Sequence, residues 1–262
     1  MNRLQSEFRR LYLPPAAAAC ADPQDAGASL IGSDGRVRAL VIELADPADW
    51  EPLAPLWRGV QTDLDLPAPA IAVSGGHGLQ LWFSLAEAVD VGTAQAFLQA
   101  LQRHHLGALP QRRLRLLPRV AGEGAAIEHA ARLPAQQPEN GLWSAFIAPD
   151  LAPLFSDAPW LDVPPGDDGQ ANLLAALVSI RPAQFGAALA RLQAGPALPA
   201  PAATAVAAPA PSAPSEAGAG PTEAFDDPRD FLRAVMNDPG VALALRIEAA
   251  RALLPMPARP GC

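Results

Sequence analysis

Lysine is absent from this 262-residue chain, tyrosine occurs once and cysteine twice. Cys20 and Cys262 stand near opposite ends with no ligand partner at zinc spacing, which excludes a structural zinc site and a disulfide framework. No apolar run reaches about 18 residues without Pro or charge, and the apolar part of MNRLQSEFRRLYLPP is too short for a secretory leader. The sequence therefore predicts a cytoplasmic protein with no membrane partner. A formal net charge of −8 excludes a protein that coats nucleic acid non-specifically, because such binding rests on neutralising phosphates. The all-arginine basic set, with heavy Ala and Pro content, reads as coding bias and not as a functional signal.

Apolar sequence, by contrast, is plentiful. Half of the residues are hydrophobic, enough to bury a substantial core. Residues 1–192 read as one folded unit of class α+β, because strand-like and helix-like stretches mix without a regular βαβ repeat. Residues 193–224 form a Pro/Ala/Gly/Ser tract without large apolar residues, the composition of a disordered linker. Residues 225–256 then predict a two-helix hairpin. Asp227-Pro228 opens the first helix, Phe231, Leu232, Val235 and Met236 recur at helical spacing, and Asn237-Asp238-Pro239-Gly240 ends it. So short a pair buries little by itself, which makes the tail a candidate for binding a protein partner.

Within the folded unit, RVRALVIELAD (36–46) is a strand between turn signals, and AIAV and LQLWFSL flank SGGHG as a glycine-turn hairpin. DWEPLAPLWRGVQTDL predicts short helical pieces limited by Pro52 and Pro55, and VGTAQAFLQALQRHH a helix. IEHAARLPA, LWSAFIA and LLAALVSI supply further short elements, Asp167-Asp168-Gly169 reads as a turn, and PAQFGAALARLQ as a closing helix. Strand alternation puts Leu79, Leu81, Phe83 and Leu85 in the core, with Gln80, Trp82 and Ser84 opposite. If the first strand is a neighbour, Glu43, Gln80 and Trp82 line one open sheet face. There the turn residues Ser74, Gly75, Gly76, His77 and Gly78 offer free N–H groups to a phosphate, and Trp82 offers a stacking surface for a base.

QRHHLGALPQRRLRLLPR (102–119) gathers Arg103, His104, His105, Arg112, Arg113, Arg115 and Arg119 as either a basic patch or a solvated helix end. Glu123, Glu128 and His129 read as surface polar residues, since adjacent Glu128 and His129 diverge on any regular element. Trp50, Trp57, Trp143 and Trp160 read as core or rim packing.

LVIELADP followed by SGGHGLQLWFSL resembles the paired core motifs of the archaeo-eukaryotic primase superfamily, in particular the primase domain of TOTE conflict systems. RLRLLPR, HAARLPAQQPENGLWSAFIAPDLAPLFSDAPWL and LQSEFRRLYLP resemble further family segments, in the family's order, across roughly residues 4–162. The resemblance implies an RNA-recognition-motif-like primase palm, a two-metal site and transfer of nucleotides onto a growing strand. It also implies what is missing. Glu43 stands at the first metal-ligand position, Ala45 at the second, Gln80 at the position of a histidine and Leu114 at a later acidic position. Gln80 keeps a hydrogen-bond donor but no charge.

The leading expectation is thus a catalytically inactive primase-like domain that binds DNA, RNA or a nucleoside triphosphate, needs no cofactor and engages a partner through its tail. The first alternative is an active primase-polymerase, a nucleotidyltransferase holding Mg²⁺ or Mn²⁺ through Glu43 and Asp46 with His77 near the phosphates. The second is a protein-interaction adaptor of a mobile-element or phage-related system, suggested by the acidic balance and by a loose similarity of the tail to segments of small phage packaging-associated proteins.

Overall fold

A computed structural model of the chain describes residues 2–15, 29–45, 47–76, 78–121 and 126–194. The chain divides into two units, Met1–Ala200 and Pro201–Cys262, and every described residue belongs to the first. The expected linker beyond residue 194, the tail helices, Cys20, Asp46, His77, Glu123 and Cys262 lie outside the described residues.

The unit is mixed α+β. Its first helix, α1 (Arg3–Tyr12), starts with a capping box in which Asn2 and Gln5 satisfy each other's backbone N–H groups. Then come β1 (Arg36–Ala45), α2 (Trp50–Thr62), β2 (Ala70–Val73), β3 (Gly78–Asp90), α3 (Val91–His105) and β4 (Leu114–Leu117). β5 (Arg119–Ala121) and β6 (Ala126–Glu128) pair as a separate ribbon, while β7 (Ala135–Gln136) and β8 (Trp143–Ile147) rejoin the main sheet. Two helices, α4 (Asp167–Ala175) and α5 (Pro182–Ala194), end the described fold. The main sheet has the order β4-β1-β3-β2-β8-β7 with antiparallel ladders throughout. Its first four strands and the two helices α2 and α3 follow one another as β-α-β-β-α-β, the split βαβ connectivity.

Alternation along the strands separates two cores. Leu40, Ile42 and Leu44 of β1 and Leu79, Leu81 and Phe83 of β3 pack with Leu53, Leu56 and Val60 of α2 and Phe97, Leu98 and Leu101 of α3. Phe185 of α5 joins them, its ring 4.8 Å from that of Phe97. The opposite face carries Ala39, Val41, Ala70, Ala72 and Trp82, packed with Leu4, Phe8, Leu11 and Tyr12 of α1 and Ala171 and Leu174 of α4. α1 and α4 are tied together on that face: Arg10 donates to the carbonyls of Leu174 and Leu177, Asn2 to Asp167 and Arg3 to Asn172. Both faces are covered. Among the described residues, no helix is long and apolar enough to cross a membrane.

Three local expectations are corrected. α2 is one 13-residue helix and not short pieces. Pro52 lies in its first turn, where a missing N–H leaves no intrahelical bond unmade, so only Pro55 carries the cost of about 3 kcal/mol of an interior proline. Leu53, Leu56 and Val60, each with no exposed surface, offset it at roughly 1.5–3 kcal/mol apiece. Asp167-Asp168-Gly169 is the first turn of α4 and not a loop turn; two carboxylates suit the positive end of a helix dipole. α5 continues through Gln193 and Ala194, the first positions assigned to the linker.

Candidate functional site

The residues singled out by the motif comparison meet in one row across the sheet. Gln80 of β3 lies opposite Glu43 of β1, which lies opposite Arg115 of β4; on the other side Gln80 faces Ala72 of β2, and Ala72 faces Phe146 of β8. Trp82 projects from the same face two residues along β3. Leu114, at the later acidic position, pairs with Leu44.

Side chains in the row form a directed relay. The Trp82 indole N–H donates to Gln80 Oε1 at 2.8 Å, and Gln80 Nε2 donates to Glu43 Oε2 at 2.7 Å. The indole can only donate and a carboxylate can only accept, so the amide has a single orientation that satisfies both. Arg115 Nη1 sits 3.7 Å from Glu43 Oε1. The same guanidinium donates to Glu128 Oε1 at 2.6 Å, and Arg119 Nε donates to Glu128 Oε2 at 2.7 Å. Hydrogen bonds from Arg119, then Arg115, hold the Glu128 carboxyl below its usual range. Glu43 is 8% exposed, Gln80 5% and Trp82 0%, so the inner half of the relay is buried while its arginines reach solvent. A buried carboxylate is tolerated only when it is paired and hydrogen-bonded, and Glu43 is both.

Gly78 makes room for this arrangement. A Cβ at Gly78 stands 2.7 Å from Glu43 Cγ and 3.0 Å from Oε1, closer than side-chain atoms approach. The carboxylate therefore lies over the start of β3 in space that only glycine leaves open.

Two parts of the expected binding face are corrected. The face is not open, and Trp82 offers no stacking surface. Its ring lies 5.2 Å from Tyr12, 5.7 Å from Phe146 and 6.2 Å from Phe8, within the layer that α1 brings onto the sheet. Small Ala39, Ala70 and Ala72 leave room for these rings. Tyr12, wholly buried, has a hydroxyl without a partner among the described residues, and burial pushes its ionisation well above the usual phenol range. The described residues of the glycine turn likewise do not present free N–H groups. Ser74 Oγ accepts from Gly76 N–H at 3.3 Å and Gly78 N–H at 2.9 Å, and Gly75 N–H donates to Pro159 C=O. Gly75, at φ +79°, also lies so close to Trp143 and Ser144 that a Cβ has no space there. Asn140 and Gln137 donate to the carbonyls of Gly75 and Ser74, fastening the turn to the segment before β8.

The basic patch is divided in the same way. Arg113 donates to the carbonyls of Ala45 and Pro47 and pairs with Asp49. Arg115 and Arg119 share Glu128, while Arg103 and Arg112 are exposed without an ion-pair partner among the described residues. Glu128 is therefore no solitary surface acid. His129 is likewise half-buried and tied into the fold. Its Nδ1 accepts from Ala130 N–H, which leaves Nε2 to donate to Ala39 C=O at 3.0 Å, and burial holds the neutral ring's pKa down at about 4.

Among the described residues, which do not include Asp46, the donor set does not fit a pair of divalent ions. Glu43 is a single carboxylate with Gln80 on one oxygen and Arg115 beside the other, and Ala45, the next position on the same face, has no ligand atom. Among the described residues, no group of three or more His, Cys, Asp or Glu side chains converges on a common point. Compared with known proteins, the chain matches no family model and no curated sequence.

Proposed function

We propose that this chain is a primase-like, RNA-recognition-motif-like domain that acts by binding nucleic acid or nucleotide, with its catalytic metal positions converted into an internal charge relay. The observation that carries the reading is the row Arg115–Glu43–Gln80 on adjacent strands of a β-α-β-β-α-β sheet. The resemblance assigns Glu43 and Gln80 to a metal ligand and a phosphate-binding histidine; here they bind each other. Arg115 supplies, within 3.7 Å of the carboxylate, the positive charge that a metal ion supplies in a working palm. Contact with phosphates then falls to the exposed cations Arg103 and Arg112 near the β4 edge.

Fluorescence anisotropy with labelled single-stranded DNA, duplex DNA, single-stranded RNA and a nucleoside triphosphate tests this. Salt-sensitive binding to at least one probe, with a dissociation constant on the order of 10–100 µM and weakened several-fold by Arg112→Glu, is the expected result. No binding to any of them refutes the nucleic-acid reading.

A second reading, a protein-interaction adaptor built on the same scaffold, is favoured by a separate observation. The face expected to meet a nucleotide is filled by Phe8, Tyr12, Trp82 and Phe146, and Arg113, Arg115 and Arg119 are engaged within the domain.

A further inference from the structure

The sheet ends at β4. Its inner edge pairs with β1, and Leu114 N–H closes the preceding 3-10 turn onto Gln111 C=O. Among the described residues, no other hydrogen bond reaches the outer edge of β4. Beside that edge, between it and the C-terminal half of α3, runs a groove of about 550 Å³. Leu114 and Leu116 point into it from the strand, Leu106 and Leu109 line it from the loop, and Gln102 and Arg103 from the helix. The first core extends to this border, since Leu114, Leu116 and Leu109 are only partly buried against it.

An unpaired edge with a trough of mixed polarity alongside, its strand wall formed by Leu114 and Leu116, is the geometry for strand addition. A strand laid against β4 pairs its backbone with the free edge and drops alternate side chains over Leu114 and Leu116, against α3. Charge selects the incoming strand. The chain carries a net −8, yet among the described residues Arg103 is the only charged one lining the groove, and Arg112 adjoins the lining residue Gln111. We infer that the β4 edge is a docking site for an extended acidic peptide from a partner protein, with apolar side chains at alternate positions. This rests on the adaptor reading and gives it its partner chemistry; it competes with the nucleic-acid reading for Arg103 and Arg112, and peptide titration and oligonucleotide titration score the two separately.

The test is anisotropy titration of the full chain into a fluorescein-labelled peptide that alternates Val with Glu. Two further versions carry backbone N-methyl groups along one edge or the other. The expected dissociation constant is on the order of 10–100 µM. One methylation pattern abolishes binding while the other leaves it intact, and Arg103→Glu weakens it about tenfold. Arg103 is exposed, so this variant keeps the fold; a matching circular dichroism spectrum and melting temperature check that. Absence of binding, equal tolerance of both methylation patterns or indifference to Arg103→Glu overturns the inference. Displacement of the peptide by a single-stranded oligonucleotide assigns the groove to nucleic acid. Self-association that the peptide cannot reverse assigns the edge to a second copy; either outcome also overturns it.

Discussion

Replacing Gln80 by Leu keeps the volume of a buried position and removes its amide. Two partners are then stranded: the Trp82 indole N–H, with no solvent access, and one oxygen of Glu43. An unpaired buried polar group costs about 1–3 kcal/mol, and more when charged, so Gln80→Leu is expected to destabilise the domain by about 4 kcal/mol. Glu43→Leu strands only the Gln80 amide N–H, because Arg115 keeps Glu128, and is expected to cost about 2.5 kcal/mol. In the double variant the Trp82 N–H alone lacks a partner, for a cost of about 2 kcal/mol. The double variant should therefore be more stable than Gln80→Leu alone, with a coupling of about 4.5 kcal/mol between the two sites. Urea unfolding of the four proteins, followed by far-UV circular dichroism, measures the cycle. Additivity within about 0.5 kcal/mol, or a Gln80→Leu cost below about 1 kcal/mol, refutes the relay as a coupled unit.

Gly78→Ala places a methyl group against Glu43 Cγ and should cost about 1–3 kcal/mol as overpacking; in a Glu43→Ala background most of that cost should vanish, and an unchanged cost in thermal unfolding contradicts the close approach. His129 gives a pH dependence of fixed sign. Its ordinary value near 6.5 falls to about 4 in the fold, so the unfolded chain binds the proton first. Stability from this residue is complete above about pH 6.5, declines as pH falls toward about 4 and levels off below, a loss of about 2 kcal/mol for a half-buried ring. The stability difference between pH 7 and pH 4.5 should be smaller in His129→Gln than in the parent; an equal difference removes His129 as the cause.

The strands and the hairpin were legible because their apolar residues alternate, and alternation also put Glu43, Gln80 and Trp82 on one face. What covers that face was not legible. An apolar helical stripe such as Leu4, Phe8, Leu11 and Tyr12 announces burial without naming the surface it buries, and the cover comes from opposite ends of the domain. A usable signal existed: alanines at 39, 70 and 72 beside Trp82 leave a space that suits aromatic rings from another layer. The serine before Gly75-Gly76 was a similar signal, since a serine hydroxyl readily accepts from the N–H groups that follow it. Arg115 is different in kind. It stands beside Glu43 through a pairing of β1 with β4 across more than seventy residues, which no local pattern encodes.

Calorimetric titration of Mn²⁺ in the presence of a nucleoside triphosphate, comparing the parent chain with Glu43→Ala, tests the central claim most directly. A carboxylate engaged by Gln80 and Arg115 should give no heat of Mn²⁺ binding that depends on Glu43, so the two titrations should coincide. Micromolar Mn²⁺ binding that disappears in Glu43→Ala contradicts the account and returns the site to metal chemistry.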